Sequence, residues 1–314
     1  MTKVAFIFPG QGSQSVGMGK ELVETAEKSK LFLDNADRVL DFQLSKFILE
    51  GPQDELTLTY NAQPALLTVG SMIAARLVEE GVLPDYTAGH SLGEYTALVA
   101  SGVMSFEDGV SIVHKRGLYM NEAVPAGEGA MAAILGLDGQ KLKEVTDAIT
   151  ADGFAVQPAN LNCPGQIVIS GTKTGVDKAC VQLKEAGAKR AIPLDVSGPF
   201  HSSLMKPAAE KLRATLDGVE MQDATIPVIA NVNASVVNKQ DEIKDLLVKQ
   251  LYSPVLWEDS VRTMLDLGVT HFIECGPGKV LSGLVRKIDR SATVLPVYDE
   301  ETLQSVIEAS KGWS

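Results

Sequence analysis

The stretch Gly89-His90-Ser91-Leu92-Gly93 reads G-x-S-x-G, which is the pattern of a nucleophile elbow. In an elbow the serine occupies a tight strand-to-helix turn, and the two glycines let neighbouring backbone pass close by. Residues 86–88 are typical of a short strand, and residues 94–100 predict a helix that Gly102 closes. Unpaired N–H groups at such a helix start can hold an oxyanion. Ser91 is therefore a candidate nucleophile, and an ordinary glycine-rich turn is the alternative.

The composition is that of a soluble globular protein, with 45% hydrophobic and 22% charged residues. A chain of 314 residues can hold one large domain with an insertion, or two domains. The apolar runs, such as Val4–Phe8, are strand-sized, and the N-terminus lacks the h-region of a signal peptide. Cys163, Cys180 and Cys275 fit neither a disulfide framework nor a CxxC metal site. We therefore expect a cytoplasmic protein without a membrane segment.

The net charge is −12, from 28 basic and 40 acidic residues. This balance argues against nucleic-acid binding, which needs a basic surface. It also means that any acidic protein partner must meet a local patch of basic residues.

Strand and helix patterns alternate along most of the chain, which predicts an α/β fold with a mostly parallel sheet covered on both faces. A helix is expected from about Gly19 to Ser29, and a long one from about Gln63 to Glu80 with Pro64 in its first turn. Between residues 126 and 197 the order changes to β-α-β-β-α-β, the ferredoxin-like pattern. We expect this segment to be an inserted subdomain within a larger domain of residues 1–125 and 198–314.

The loop from Pro9 to Gln14 matches a nucleotide-binding loop only in part. A dinucleotide fingerprint that starts at Gly10 needs glycine at the position of Ser15, and a P-loop needs Ser or Thr at the position of Glu21. The glycines of this loop instead predict that Gln11 and its backbone closely approach another group.

A serine nucleophile needs a base, and the chain has four histidines. His201 is the preferred candidate because it lies in a Gly-Pro-Phe-His-Ser loop, and loops on a rigid sheet commonly carry catalytic groups. Ser91 before His201 is also the chain order of α/β-hydrolases. His114 and His271 favour structural roles, and the side chain of His90 is expected to point away from the serine. No acidic third member stands out, and a carbonyl oxygen is the alternative group that fixes the tautomer.

Arg116 lies in a helix predicted from Phe106 to about Glu122. An arginine in an amphipathic helix is usually a solvated or interface cation. If Arg116 faces the elbow, its planar guanidinium can bind a substrate carboxylate through two hydrogen bonds. The pattern alone leaves both interpretations open.

Several stretches together resemble the malonyl-CoA:acyl-carrier-protein transacylase family. They follow the family order over nearly the whole chain, so the set is far more specific than any one motif. The stretches are Phe8 to Gln14, Gly89 to Tyr95, Arg116-Gly117 with Met120, Asn160 to Gln166, Gly198 to Ser202, Gln250 to Val255 and Glu274 to Gly278. The family places a ferredoxin-like subdomain in an α/β-hydrolase-like core, which agrees with the predicted insertion.

The resemblance implies a catalytic group of five residues. Ser91 would be the nucleophile and His201 its base, and the carbonyl oxygen of Gln250 would orient the imidazole. The backbone amides of Gln11 and Leu92 would form the oxyanion hole. This answers the question of the missing acid.

The resemblance also implies a substrate site. Arg116 would bind the malonyl carboxylate, and the other residues predicted at this site are Met120, Phe200, Asn162 and His90. In the family, an aromatic residue before the catalytic histidine accompanies malonyl, whereas serine there accompanies the bulkier methylmalonyl group. Phe200 is therefore expected to narrow the pocket.

The implied activity is that of an S-malonyltransferase, which moves malonyl from malonyl-CoA to the phosphopantetheine thiol of acyl carrier protein through a malonyl-serine ester. Fatty acid biosynthesis is the expected pathway, with a polyketide pathway left open. Neither a metal nor a bound cofactor is required, and a monomer is expected. Because the carrier protein is typically acidic, docking is expected at a basic patch; the candidate cations are Lys189, Arg190, Lys206, Lys279, Arg286 and Lys287.

Three alternatives remain at this stage. A serine esterase or thioesterase would use the same Ser91 and His201 but pass the acyl group to water. A non-catalytic binding module would not need Ser91, His201, Arg116 and Gln11 together. A domain of a larger synthase is less favoured than a free-standing enzyme, because the chain is expected to start at its first strand and end just past its last helix.

Overall fold

The computed structural model describes residues 2–196 and 198–313. Met1, Ser197 and Ser314, where predicted domain ranges begin or end, lie outside the described residues. The strands are β1 Val4–Phe8, β2 Tyr86–Gly89, β3 Gly129–Leu135, β4 Val156–Cys163, β5 Gln166–Thr172, β6 Arg190–Pro193, β7 Val228–Ile229, β8 Val236–Val237, β9 His271–Cys275 and β10 Thr293–Val297.

Helices precede and follow most of these strands. They are α1 Lys20–Thr25, α2 Glu27–Leu40, α3 Leu44–Leu49, α4 Gln53–Thr57, α5 Thr59–Glu79, α6 Leu92–Ala100, α7 Phe106–Glu122, α8 Gly139–Ala151, α9 Lys173–Glu185, α10 Lys206–Asp217, α11 Gln240–Gln250, α12 Trp257–Asp266, α13 Val280–Ile288 and α14 Glu300–Ser310. A short 3₁₀ turn covers Ser203–Met205.

The larger sheet has the strand order β10-β9-β1-β2-β7-β8, and every pairing except β7 with β8 is parallel. All five residues of β1 are buried. Phe6 and Phe8 belong to one apolar cluster, and Ala5 and Ile7 belong to another. Since successive side chains of a strand point to opposite faces, the sheet is covered on both sides. The predicted α/β architecture is confirmed.

The topology of the larger sheet brings three loops together at one edge. Strands β1, β2 and β7 are neighbours and run parallel, so their carboxyl ends lie side by side. The loops that leave these ends carry Gln11, Ser91 and Asn231 in turn. Crevices at the carboxyl ends of parallel strands are the usual ligand sites of such sheets. Residues far apart in the chain are thereby brought together.

The smaller sheet is antiparallel, with the order β4-β5-β3-β6. Its strands and helices follow one another as β3, α8, β4, β5, α9 and β6, which is the predicted β-α-β-β-α-β order. This sheet has its own apolar cluster, which includes Ile134, Leu142 and Ile169. The division into domains at residues 126–197 stays a prediction.

Two predicted helices differ from the structure. The segment from Gly19 to Ser29 is divided because Ala26 is extended, with φ −145° and ψ 120°, between α1 and α2. The prediction of a first-turn Pro64 is wrong, because α5 begins at Thr59 and encloses the proline. Proline has no N–H to donate to the carbonyl four residues earlier. His114 Nδ1 contacts that carbonyl oxygen, of Tyr60, at 2.7 Å.

Within the described residues, none of the helices combines the length and apolarity needed to cross a membrane. The same part of the chain holds no cluster of three or more His, Cys, Asp or Glu side chains suited to a metal ion.

Candidate active site

The elbow has the strained backbone that its glycines allow. Ser91 has φ 52° and ψ −106°, a positive-φ conformation that residues with a Cβ rarely adopt. A Cβ on Gly89 would lie 1.9 Å from the carbonyl of Gly93, and a Cβ on Gly93 would lie 2.0 Å from the carbonyl oxygen of Phe8. Only glycine fits at either position. The turn presents Ser91 at the start of α6, as the motif predicts.

Ser91, His201 and Gln250 form a hydrogen-bonded chain. The Nε2 atom of His201 lies 2.8 Å from Ser91 Oγ, and its Nδ1 atom lies 2.8 Å from the carbonyl oxygen of Gln250. Because a carbonyl can only accept, Nδ1 carries the proton of the neutral ring and Nε2 accepts from the serine hydroxyl. His201 is buried and has φ 56°. This is the geometry of a serine nucleophile with a positioned general base.

The other three histidines have other partners. The Nε2 atom of His90 contacts Asn162 Oδ1 at 2.8 Å, and His271 Nδ1 contacts Thr270 Oγ1 at 2.9 Å. His114 Nδ1 contacts the carbonyl oxygen of Tyr60 in α5, as described above. Among the four histidines, His201 is the one whose ring forms a hydrogen bond with the elbow serine.

Arg116 faces the elbow from α7 and is only 1% exposed. Its Nη2 atom donates to Ser91 Oγ at 3.1 Å and to Gln250 Oε1 at 2.9 Å. Its Nη1 atom donates to Gln63 Oε1 at 2.6 Å, and the guanidinium lies 5.2 Å from the ring centre of Tyr95. The structure therefore places a buried cation beside the candidate nucleophile, which leaves the solvated interpretation without support.

A cavity of about 420 Å³ opens at this point. Its lining includes Gln11, Leu92, Met120 and Phe200 together with the serine, the base and the arginine. As the first residue of α6, Leu92 has an N–H without a partner inside its helix. The Gln11 side chain accepts from Thr59 Oγ1 at 2.7 Å, which anchors the loop after β1.

Asn162 contacts the cavity wall through His90 and is not itself part of the lining. His90 lines the cavity, whereas Asn162 is buried behind it and Asn160 occupies the cavity wall. Residues two apart in a regular strand point to the same face. The sequence alone therefore does not show which of Asn160 and Asn162 lines the cavity. A binding role for Asn162 itself stays a prediction.

Three buried polar residues of the site were not recognised from sequence. Gln63 bonds Arg116 from α5, Glu94 bonds Gln250 from α6, and Asn231 follows β7. The Asn231 side chain accepts from the backbone N–H of Ser91 at 2.8 Å and donates to the carbonyl of Gly89 at 2.7 Å. The sequence feature that could have indicated a role for Asn231 is its position as a polar residue directly after the strand pattern of residues 227–230.

Burial shifts the pKa values of the ionisable side chains in this site. It lowers the pKa of His201 to about 3, and the charge of Arg116 acts in the same direction. Burial also raises the pKa of Glu94 to about 7, against the opposing hydrogen bonds from Gln250 and Asn231. Burial lowers the pKa of Arg116 as well. His201 is consequently unprotonated at neutral pH, in the state that accepts a proton from Ser91.

We expect phosphonylation of Ser91 by a small fluorophosphonate to keep most of its rate between about pH 8 and about pH 5. A base with an unshifted histidine pKa would lose roughly thirtyfold of its unprotonated form over this range, whereas a base with a pKa of about 3 loses little. Stopped-time inactivation assays across pH measure this. Glu94→Gln is the matched control, because Glu94 is the other site group that titrates in this window. A thirtyfold fall in both proteins would contradict the low pKa of His201.

Comparisons with known proteins agree with this geometry. The chain is 59% identical over 311 residues to the malonyl CoA-acyl carrier protein transacylase of Bacillus subtilis, which covers 99% of this chain and 98% of the relative. It is 47% identical over 314 residues to the enzyme of the same name from Staphylococcus aureus, covering 100% of this chain and 99% of the relative.

Solved structures show the same fold over nearly the whole length. An acyl carrier protein S-malonyltransferase from Vibrio cholerae matches with a TM-score of 0.95 at 45% identity, covering 97% of this chain and 100% of that one. A malonyl-transacylase in complex with a type II PKS acyl-carrier protein matches with a TM-score of 0.95 at 41% identity. The match covers 98% of this chain and 100% of that one. The family profile of the acyl transferase domain matches residues 5–309. This chain belongs to the acyl transferase domain family.

Proposed function

We propose that this protein transfers a malonyl group from malonyl-CoA to the phosphopantetheine thiol of an acyl carrier protein. The observation that carries the proposal is the buried Arg116, whose guanidinium lies 3.1 Å from the hydroxyl of Ser91. A guanidinium at this distance can hold a carboxylate one methylene away from the carbonyl under attack. The relatives described above bear the name of the same activity.

In the first step, Ser91 Oγ attacks the thioester carbonyl while His201 Nε2 takes the hydroxyl proton. The tetrahedral oxyanion collapses, the carbon–sulfur bond breaks, and the thiolate of coenzyme A leaves with the proton from His201. The product is a malonyl-serine ester. The Gln250 carbonyl keeps the imidazole in the required tautomer, and it stabilises the transient imidazolium.

In the second step, the carrier's thiol gives its proton to His201 and attacks the ester. The carbon–oxygen bond to Ser91 breaks, and the serine oxygen takes the proton back. We assign the oxyanion hole of both steps to the backbone amides of Gln11 and Leu92, two residues of the cavity lining. Losing one such donor typically costs roughly 10²–10³ in rate.

The carrier protein is proposed to be acidic and to dock on basic residues near the cavity. The Lys287 ammonium on α13 donates to Gln166 on β5 at 3.2 Å, and Lys189 packs over Gly136, whose N–H bonds the carbonyl of Gly165. Because Gly165 and Gln166 are adjacent in the chain, these contacts support a docking surface that includes Lys189 and Lys287. Fatty acid biosynthesis is the proposed pathway.

The chemistry above uses only side chains and backbone of one chain, so we propose that the enzyme works as a monomer without a bound cofactor. Coenzyme A is part of the substrate, and the phosphopantetheine arrives on the partner. The proposed location is the cytoplasm, where thiols stay reduced; Cys163 and Cys275 are buried free thiols.

The test of the proposed function is the intact mass of the protein after brief mixing with malonyl-CoA, with acetyl-CoA as control. We expect a malonyl-sized adduct that added holo carrier protein discharges and that water discharges slowly. Fast discharge by water and none by the carrier would indicate a thioesterase. No adduct with either donor would overturn the acyl-enzyme mechanism.

Replacing Phe200 by serine is expected to reduce the preference for malonyl over methylmalonyl. Phe200 is 6% exposed and lines the cavity, so its truncation opens apolar space for one methyl group. Accommodating or excluding one methyl group typically changes the transition-state free-energy difference between two substrates by about 1–3 kcal/mol, which is roughly 10–200-fold in selectivity. The ratio of kcat/KM for the two donors measures it, with Phe200→Leu as the control that keeps most of the bulk. An unchanged ratio in Phe200→Ser would show that another residue limits the pocket.

A further inference from the structure

Glu94 is a buried carboxyl group that the steps above do not use. It lies in the first turn of α6, three residues after Ser91, and is 2% exposed. An acid in a first turn can stabilise its own helix through the helix dipole. The Glu94 side chain, however, has partners outside its helix. Its Oε2 atom accepts from Gln250 Nε2 at 2.7 Å and from the backbone N–H of Asn231 at 3.2 Å.

The amide of Gln250 stands between two groups of opposite hydrogen-bonding character. On one side the guanidinium of Arg116 can only donate, and it donates to Gln250 Oε1 at 2.9 Å. On the other side the ionised Glu94 carboxylate can only accept, and it accepts from Gln250 Nε2. Of the two orientations of a glutamine amide, a single one satisfies both neighbours. The opposite orientation would place NH₂ against the guanidinium and oxygen against the carboxylate.

Gln250 also connects the arginine to the base. Its backbone carbonyl accepts from His201 Nδ1, and its Nε2 atom donates to the carbonyl oxygen of Ser91 at 3.1 Å. The side chain of Gln250 thus bonds Arg116, and its backbone carbonyl bonds His201. The same side chain bonds the elbow at two points, the carbonyl oxygen of Ser91 and the carboxyl group of Glu94. Movement of the Gln250 side chain would therefore disturb Arg116 directly, whereas the bond to the base comes from the backbone.

We infer that Glu94 is a positioning residue that fixes the orientation of the Gln250 amide and, through it, aligns Arg116 to receive the carboxylate of the malonyl donor. The inference rests on the proposed function. Its consequence is that Glu94 contributes to the choice of donor although it lies behind the residues that line the cavity. Burial and the two hydrogen bonds keep the Glu94 carboxyl in place in either protonation state, because a neutral carboxylic acid still has an accepting carbonyl oxygen.

The test compares Glu94→Met, which keeps the side-chain length but removes the strong acceptor, with Glu94→Gln, which retains an acceptor oxygen. The readout is the ratio of kcat/KM for malonyl and acetyl thioesters of N-acetylcysteamine. Because it is a ratio, it does not depend on the fraction of folded enzyme. We expect Glu94→Met to lower this ratio about tenfold or more, the loss expected for a hydrogen bond to a charged group. Glu94→Gln is expected to restore most of the ratio.

A double-mutant cycle with Gln250→Met tests whether Glu94 acts on Arg116 through the Gln250 amide. This variant removes the amide but keeps the backbone carbonyl that His201 uses. It is expected to lower the ratio by itself, and Glu94→Met added to it should lower the ratio no further. If Glu94→Met yields no folded protein, Glu94→Ala, which removes the acceptor without adding bulk, takes its place in the cycle and carries the same expectation.

Equal losses for both donors in Glu94→Met would overturn the inference, because a merely structural residue lowers both. Independent, additive losses in the cycle would overturn it too, as would a Glu94→Gln enzyme that behaves like Glu94→Met. A wild-type enzyme without malonyl transfer would remove the proposed function, and the inference with it. These outcomes are distinguishable, since the last is visible in the wild type and the others are visible only in the variants.

Discussion

Replacing Ser91 by alanine is expected to abolish the malonyl adduct and to reduce malonyl transfer by roughly 10⁴-fold or more, the range found when a serine nucleophile is removed from a hydrolase site. The hydroxyl of Ser91 is the group that His201 Nε2 contacts at 2.8 Å, so the variant leaves the base without a proton to take. Water held in the cavity cannot replace the serine in forming a discrete ester. Intact mass and steady-state transfer to carrier protein measure the two effects.

Ser203→Ala is the matched control, because Ser203 is an exposed serine in the 3₁₀ turn that follows His201, and its backbone N–H, which the substitution keeps, donates to Gln157 Oε1 at 2.9 Å. It should form the adduct at the wild-type rate. An adduct of malonyl size that persists on Ser91→Ala would show that a different side chain is acylated, and the assignment of the elbow serine would be lost.

Replacing Arg116 by alanine is expected to lower kcat/KM for malonyl by roughly 10²–10³-fold, while acetyl is affected much less. Removal of one partner from a buried charged pair typically costs about 2–5 kcal/mol, and the malonyl carboxylate would lose its partner in the cavity. The acetyl group has no carboxylate to lose. Gln63 Oε1 and Gln250 Oε1 would each lose a donor, so a moderate loss in stability is also expected.

Two further variants separate charge from geometry. Arg116→Lys keeps the positive charge but not the planar fork, so its malonyl rate is expected to lie between those of wild type and alanine. Arg262→Ala is the matched control, because this arginine is half-exposed and pairs with Glu258 on the surface of α12. Equal losses for malonyl and acetyl in Arg116→Ala would refute the carboxylate assignment and leave Arg116 a structural role.

Local patterns predicted most of the strands and helices and the elbow. The elbow depends on Gly89 and Gly93, whose lack of a Cβ is a property of the sequence. Helices α3 and α4 and the part of α2 after Ser29 were not predicted, and α5 was predicted to begin too late, which put Pro64 in the wrong turn. That error has a tertiary cause. The carbonyl that Pro64 leaves without a donor contacts His114 of a helix about fifty residues away, which no local pattern contains.

The polar network behind the cavity was harder to predict for a related reason. Helix α5 is buried on all sides from Asn61 to Ala74, so Gln63 does not stand out against a polar face. Glu94 belongs to a stretch that matched the family, but neither its position nor its type indicates that Gln250 is its partner. Residues 94 and 250 meet only when α11 is packed against the elbow.

By itself, the sequence determined the α/β architecture, the strained turn at Ser91 and, through its resemblance to a family, the candidate base and carboxylate-binding residue. These depend on glycine spacing, hydrophobic period and motif, which are local along the chain. Only the tertiary structure decided that Arg116 lies buried against Ser91 and that Gln250 joins Arg116, His201 and Glu94. These hydrogen bonds join groups on α6, α7 and α11 with Ser91 and His201 in two loops, so they form only when the three helices are packed around the end of β2.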